Sequence, residues 1–393
     1  MARLLEVLLV FLRLGVTSFG GPVAHLGYFR AEFVERRRWL DEGAYADVVA
    51  LSQFLPGPAS SQVGITLGIL RAGLAGGVAA WLGFTLPSAA AMIAFGYGVT
   101  ALGDVAHAAW LHGLKIVAAA VVAQAVSSMA RTLSPDRARA TLSVVAAVLV
   151  LALPSALGQI GAILMGAAAG WLLLTPPPQA AATPTRLRQG RGLAVAALAL
   201  FALLLTGLPL FASATNDHGV MLVERFYRAG SLVFGGGHVV LPLLQSAVVP
   251  PGWVDNDAFL AGYGAAQAVP GPLFTFAAYL GTVMGPSPHG WSGGLLCLGA
   301  IYLPSFLLLV GVLPFWETLR QRQAVQGALR GVNAAVVGLL LAALYTPVWS
   351  SAILAPGDFA LGVIAFLLLV FWRVSPWVVV ILGALAASVL AHL

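Results

Sequence analysis

The hexapeptide Gln-x-x-Pro-Gly-Pro occurs twice in this chain, at Gln53 to Pro58 and again at Gln267 to Pro272. The same companions stand before each copy. They are Arg13 and Gly15, then Phe19-Gly20-Gly21, then Trp39 and Asp41; in the second copy they are Arg228 and Gly230, Phe234-Gly235-Gly236, Trp253 and Asp255. The tryptophan, aspartate, glutamine and Pro-Gly-Pro recur 214 residues on (39 to 253, 53 to 267), and the Phe-Gly-Gly block 215 on (19 to 234). One inserted residue accounts for the difference. Chance does not hold such spacing, so the chain is an internal duplication, and the fold of one half constrains the other.

The medium in which these halves fold follows from the stretches between the motifs. Apolar runs near the roughly 20 residues of a bilayer crossing cover 74–100, 107–130, 158–175, 192–211, 291–313 and 331–345. With 60% hydrophobic and only 9% charged residues, a soluble globular reading is excluded. The chain reads as an all-α polytopic membrane protein. Its 45 glycines and 23 prolines fit that class, where small residues allow close helix packing and breaks are tolerated inside a bundle. A net charge of +6 would suggest nucleic acid in a soluble protein. Here the arginines concentrate in short loops, as membrane orientation requires, and no nucleic acid partner is expected. Cys297, the single cysteine, rules out an intrachain disulfide and reads as a small core residue. Arg3 and the apolar stretch after it look like a signal peptide, but no small-residue cleavage site follows, so the segment is expected to belong to the mature protein.

Three units are expected: a repeat over 1–175, a linker with one unmatched apolar helix over 176–219, and a second repeat over 220–393. Pro176-Pro177-Pro178, followed by Arg186, Arg188 and Arg191, marks the linker. Loop charge then gives orientation. Residues 30–38 carry four arginines and their counterpart near 242–252 none; around 98–106 there is Asp104 and no base, whereas the matching region has Arg320, Arg322 and Arg330. Arg131, Arg137 and Arg139 likewise face a counterpart near 346–358 without a basic residue. Three loop pairs exchange their charge, so the halves should face opposite ways across the membrane as an inverted-topology repeat. Satisfying those positions requires about nine full crossings and four re-entrant broken helical hairpins with the motif glycines and prolines at their tips.

Those tips are where an ion could be held. Pro56-Gly57-Pro58 and Pro270-Gly271-Pro272 each remove two amide donors and break a helix. A helix broken at membrane depth presents free backbone N–H groups and the positive end of a half-helix dipole, the requirements for holding an anion. Phe19-Gly20-Gly21 and Phe234-Gly235-Gly236 permit positive φ and close approach of a ligand. The alternative is that these are packing kinks. Gln53 and Gln267, one turn before the breaks, either hydrogen-bond an oxyanion or satisfy freed carbonyls. Ser52, Ser60, Ser61 and Gln62 make the first copy more polar than the second, which has Ala266, Phe274, Thr275 and Phe276. Arg13 and Arg228, matched and within apolar segments, suit an oxyanion; the alternatives are snorkelling or pairing with Glu6 or Glu224. Lys115, the only lysine and aligned with Asn333, could hold an anion, carry a proton or snorkel. His25 and His238 flank the Phe-Gly-Gly tips and titrate near neutral pH, although a structural role is the commoner one. Asp41 and Asp255 read as helix N-caps.

No metalloprotease, nucleophile-elbow, phosphate-loop or Cys-x-x-Cys pattern is present, so neither enzyme chemistry nor a cofactor or metal is expected. Transport must then draw on an ion gradient or on the gradient of the substrate.

Arg13-Leu-Gly-Val-Thr-Ser-Phe-Gly-Gly-Pro22, Trp39-Leu-Asp41 and Gln53-Phe-Leu-Pro-Gly-Pro58 resemble the chromate ion transporter family. So do Phe234-Gly-Gly-Gly-His238, Gln267-Ala-Val-Pro-Gly-Pro272 and Gly331-Val-Asn-Ala-Ala335. The resemblance covers nearly the whole chain apart from the linker and matches the two-domain form. It implies export of chromate from the bacterial cytoplasm across the inner membrane, coupled to protons. Sulfate, isosteric with chromate, is the competing substrate, and a channel-like conductance the competing mode. Membrane lipid is the surrounding partner and a homodimer is compatible. The second copy has Phe-Gly-Gly-Gly where the first has Phe-Gly-Gly-Pro, so individual contacts need not correspond.

Overall fold

The computed structural model describes residues 1–101, 109–174 and 190–390, with Val23 described by its backbone only; Asp104, the three linker prolines, Arg186 and Arg188 lie outside them. All regular structure among the described residues is helical. The first half contains α1 (Ala2–Thr17), α2 (Gly21–Arg30), α3 (Glu42–Phe54), α4 (Ala59–Ala101), α5 (Ala109–Leu133), α6 (Arg137–Ala152) and α7 (Ala156–Leu173). Helix α8 (Arg191–Thr215) follows, then α9 (His218–Leu232), α10 (Val240–Val248), α11 (Asn256–Ala266), α12 (Phe276–Val283), α13 (Gly290–Val312) and α14 (Trp316–Arg320). The chain closes with α15 (Gln323–Ala343), α16 (Ser350–Ala352), α17 (Pro356–Val370) and α18 (Pro376–Leu390).

Glycine sets the breaks. Gly20 and Gly21 lie at φ 101° and 75°, and Gly235 and Gly236 at 75° and 143°, a region L side chains rarely enter. Gly57 and Gly271, inside the two Pro-Gly-Pro segments, lie at 126° and 104°. Residues 30–38, read from sequence as a loop, are largely helical: α2 continues as a π-helical stretch to Arg36, and its arginines engage carboxylates along the way. Asp41 and Asp255 cap α3 and α11 as expected, accepting from Ala44 N–H at 2.8 Å and from Asp257 N–H at 2.8 Å. Helix α4 is two arms, for Ala72 and Gly73 leave helical geometry. A Cβ on Gly68 would lie 2.8 Å from the Gly76 carbonyl carbon, so the arms fold back into close contact. Gly281 of α12 and Gly293 of α13 repeat that contact in the second half.

Polar contacts gather these elements at two ends. At the first, Glu6 meets Arg37 at 3.2 Å and Arg71 at 2.8 Å, while Arg30 meets Glu42 at 2.8 Å. The start of α1, the far end of the α2 extension, the start of α3 and the turn of α4 therefore lie together. Each of these hairpins leaves from and returns to one end. The second arm of α4 then runs away from Arg71, and 74–97 spans roughly 35 Å at 1.5 Å per residue. There the Tyr97 hydroxyl accepts the Trp291 N–H at 2.8 Å. At this second end Gly285 N–H donates to the Trp253 carbonyl at 3.2 Å, and the Trp253 ring stands edge-on to His218 at 4.4 Å. The starts of α9, α11 and α13 thus lie together, opposite the first end.

Among the described residues, six helices are long and apolar enough to cross a membrane: α4, α5, α7, α8, α13 with α14, and α15 with the turns after it. The other expected crossings, α6, α17 and α18, have 16, 15 and 15 residues, short of the roughly 20 a perpendicular crossing needs. Apolar clusters make up most of the core. One cluster stacks Phe11 on Phe33 at 5.0 Å and sets it edge-on to Phe29 at 5.6 Å, against Phe84 of α4. Cys297 is fully buried within the larger cluster. Only Ala194, Ala197 and Ala212 of α8 are buried.

Candidate functional site at the crossed breaks

The two Pro-Gly-Pro breaks are completed by each other's half. Gly57 N–H donates to the carbonyl of Val233 at 2.6 Å, and Gly271 N–H donates to the carbonyl of Ser18 at 2.9 Å. Val233 and Ser18 are the residues immediately before the two Phe-Gly-Gly segments. Each break of one half is therefore fastened to the glycine loop of the other. The Phe-Gly-Gly regions also approach one another: Pro22 Cγ lies 3.5 Å from where a Gly237 Cβ would stand, and Leu273 Cβ 3.9 Å. All four motif copies share one locus.

This arrangement corrects the expectation of free amides at the breaks. The prolines have no N–H, and the glycine N–H groups are taken by the crossed carbonyls. The open donors begin one residue later. Gln62 N–H bonds the Pro58 carbonyl at 2.9 Å as the first helical hydrogen bond of α4. The N–H groups of Ala59, Ser60 and Ser61 therefore precede the ladder, and no acceptor for them occurs among the described residues. They form the positive end of the first arm's dipole.

Side chains around this helix start are buried and specific. His25, 1% exposed, places Nε2 3.2 Å from the Ser18 carbonyl and Nδ1 3.3 Å from Ser60 Oγ. A carbonyl only accepts, so Nε2 carries a proton, and in the neutral ring Nδ1 accepts from the serine. His25 thus couples the first Phe-Gly-Gly loop to the first turn of α4. Ser61 Oγ and the Tyr302 hydroxyl share a hydrogen bond of 3.3 Å. Gln62 is fully buried; its Nε2 donates to the Pro56 carbonyl at 2.6 Å and to Ser305 Oγ at 3.4 Å, fixing the amide so that Oε1 has no donor.

The other sequence-derived candidates divide. Gln53 is exposed on α3, whereas Gln267 is half-buried with Nε2 enclosed. Asn333 lies at the site: its Oδ1 is unpartnered and 3.5 Å from the Cβ position of Gly235. Phe19 is half-buried against Trp377 of α18 at 5.9 Å, and Phe234 is half-buried. His238 Nδ1 and the Tyr263 hydroxyl share a hydrogen bond of 2.7 Å, a setting different from that of His25. Pro58 and Pro272 are buried, Pro56, Pro270 and Gly271 partly so. The matched arginines differ. Arg228 lies 3.0 Å from Glu224, while Arg13 is exposed on α1 and Glu6 is engaged by Arg37 and Arg71 instead. Lys115 is buried and pairs with Asp257 at 3.0 Å, away from the breaks.

Two residues missed in the sequence complete the locus. A Cβ on Gly57 would overlap Ser305 Oγ, and one on Gly271 would lie 2.8 Å from Ser88 Oγ. Again each contact crosses the halves. The signal was present, since Leu86-Pro87-Ser88 and Leu303-Pro304-Ser305 are one tripeptide repeated 217 residues on (88 to 305).

Long apolar helices wrapped around paired breaks define a multi-pass helical membrane protein with a polar centre. The chain belongs to the chromate transporter family, whose model, described as "Chromate transporter", matches residues 5–171 and 220–388. It is 27% identical to the chromate transport protein of Cupriavidus metallidurans, over 98% of this chain and 94% of that one. It is 30% identical to a chromate transport protein of Pseudomonas aeruginosa, over 84% of this chain and 77% of that one. No solved structure matches the chain.

Proposed function

We propose that the chain exports chromate from the cytoplasm across the inner membrane as a proton-coupled secondary transporter. The crossed pair Gly57 to Val233 and Gly271 to Ser18 carries this reading, because it makes one composite site from two half-sites. The oxyanion is held at the start of α4 by the N–H groups of Ala59, Ser60 and Ser61, where the half-helix dipole favours negative charge. Gly20 and Gly21 allow it close to the backbone, and Gln53 and Gln267 reach it from the helices before the breaks. Arg13 and Arg228 draw the anion in. The relatives named for chromate transport support the choice of substrate.

The repeats over 1–175 and 220–393 are inverted with respect to each other, with 176–219 as the connection that reverses the second. Support comes from the exchanged loop charges and from the opposite ends at which the two sets of hairpins start. A site lined by backbone N–H groups discriminates little between two tetrahedral dianions, so sulfate competes. Everted vesicles supplied with labelled chromate test the proposal. Uptake above that of vesicles lacking the protein, reduced by sulfate and abolished by an uncoupler, is expected; Gln53→Ala and Pro56→Ala should remove it while the protein still reaches the membrane. Uptake indifferent to the uncoupler points to a conductance instead, and full transport by both variants overturns the site.

A further inference from the structure

Of the ion pairs that join the halves away from the site, two hold the helices that run into the breaks. Asp47 meets Arg320 at 2.9 Å, with side chains only 7% and 10% exposed. Asp257 meets Lys115 at 3.0 Å, with Lys115 8% exposed and Asp257 39%. In each pair the carboxylate sits on the helix that runs into a Pro-Gly-Pro, Asp47 on α3 and Asp257 on α11. In each pair the cation belongs to the other half, Arg320 at the end of α14 and Lys115 on α5.

The pairs lie on opposite sides of the breaks. Asp47 is five residues beyond Glu42, which faces Arg30 at the first end. Asp257 is two residues beyond the cap Asp255, which closely follows Trp253 of the second end in sequence. Neighbouring contacts hold the same elements: Glu317 shares Arg320 at 2.8 Å, and Phe54, at the break end of α3, stands edge-on to Trp316 at 5.1 Å. At the second end His112 meets Asp358 at 2.9 Å, again between the halves.

The duplication did not supply this correspondence. Position 261, which answers Asp47, is alanine; position 43, which answers Asp257, is glycine; and Lys115 is answered by Asn333. Two unrelated residue pairs thus perform the same fastening on the two duplicated helices. A framework contact inherited from the repeat would sit at matched positions.

We infer that Asp47–Arg320 and Asp257–Lys115 are two latches that close the path to the site, one at each end, and that one parts at a time. This inference rests on the transport reading, which requires the site to face each side in turn. Separating either pair frees a helix leading into a break, while the crossed hydrogen bonds stay as the pivot between them. Such residues position the path; they do not touch substrate. Neutralising one carboxylate takes away the charge attraction that holds that closed end, so one end should open.

The test is the reactivity of Ser60→Cys, buried at the start of α4, in a Cys297→Ala background, toward a membrane-impermeant charged thiol reagent applied to one face of a vesicle at a time. Asp47→Asn should raise the rate about tenfold from the face of the first end only, and Asp257→Asn from the opposite face only. Exchanging the charges, Asp47→Arg with Arg320→Asp, should bring the rate back toward the parent. Should Asp47→Asn fail to accumulate in the membrane, the exchanged pair and the Asp257 arm carry the same comparison. Equal gains from both faces, or no gain in either variant, overturn the latches. Labelling needs no chromate, so labelling as expected, set beside a lack of chromate uptake by the chain with Ser60 intact, refutes the substrate and not the latches.

Discussion

Gly57 stands at φ 126° with Gln62 Nε2 2.5 Å from where a Cβ would be and Ser305 Oγ closer still. Gly57→Ala therefore meets backbone strain, about 1–3 kcal/mol, and a steric conflict at the same point. Gly271→Ala meets the same two penalties against Ser88. Gly252, at φ 73° with nothing within 4 Å of its Cβ position, carries the strain alone. Thermal unfolding in detergent and chromate uptake should both fall further for Gly57→Ala and Gly271→Ala than for Gly252→Ala; equal losses in the three variants would count against close packing at the breaks. The sequence announces these glycines, because Pro-Gly-Pro in an apolar setting has few other uses. It does not announce their acceptors. Val233 and Ser18 act through main-chain carbonyls, which every residue possesses, so no side-chain pattern could single them out. Gln53 and Gln62 show the related limit. Both are polar residues near a break, and only the packing decides that Gln62 is locked beneath Gly57 while Gln53 is exposed.

Among the elements, α7 and α15 make the tightest joint between the halves outside the breaks. Cβ atoms on Gly166 and Gly170 of α7 would lie 2.6 Å from the Gly331 carbonyl oxygen and 2.8 Å from Gly331 Cα; Gly327 faces Gly170 in turn. Small residues here let the backbones touch, which is how helices associate where apolar burial gives no advantage over lipid. Gly166→Leu should force the pair apart and destabilise the protein by about 1–3 kcal/mol, read as a lowered melting temperature. Gly161→Leu on the same helix, with no atom within 4 Å of its Cβ position, should leave it nearly unchanged. The six long apolar helices were legible as hydropathy alone. The π-helical extension of α2 was not, because four arginines in nine residues read as a loop until Glu6, Glu32 and Glu35 are seen to receive Arg30, Arg36 and Arg37.

For the whole molecule, orientation is the property that sequence and coordinates address by separate routes. Loop charge assigns 30–38 and 242–252 to opposite faces, and the contacts put Arg37 with Glu6 at one end and Trp253 with His218 at the other. Cysteines at Arg37 and Val249 in a Cys297→Ala background should therefore react with an impermeant thiol reagent from opposite faces. Reaction from a single face would remove the inversion and with it the composite site. Charge in loops was readable because lipid and potential act on it directly. The meeting of the four motif copies was less so, since the duplication says that they correspond, not that they touch.

Because the carbonyl before each Phe-Gly-Gly holds the break of the opposite copy, damage at one copy is felt in its twin. A backbone shift at Ser18 disturbs Gly271, and one at Val233 disturbs Gly57. Gene duplication ordinarily leaves one copy free to drift; here the side chains have drifted, Ser18 against Val233, while each backbone stays bound to that of the other copy.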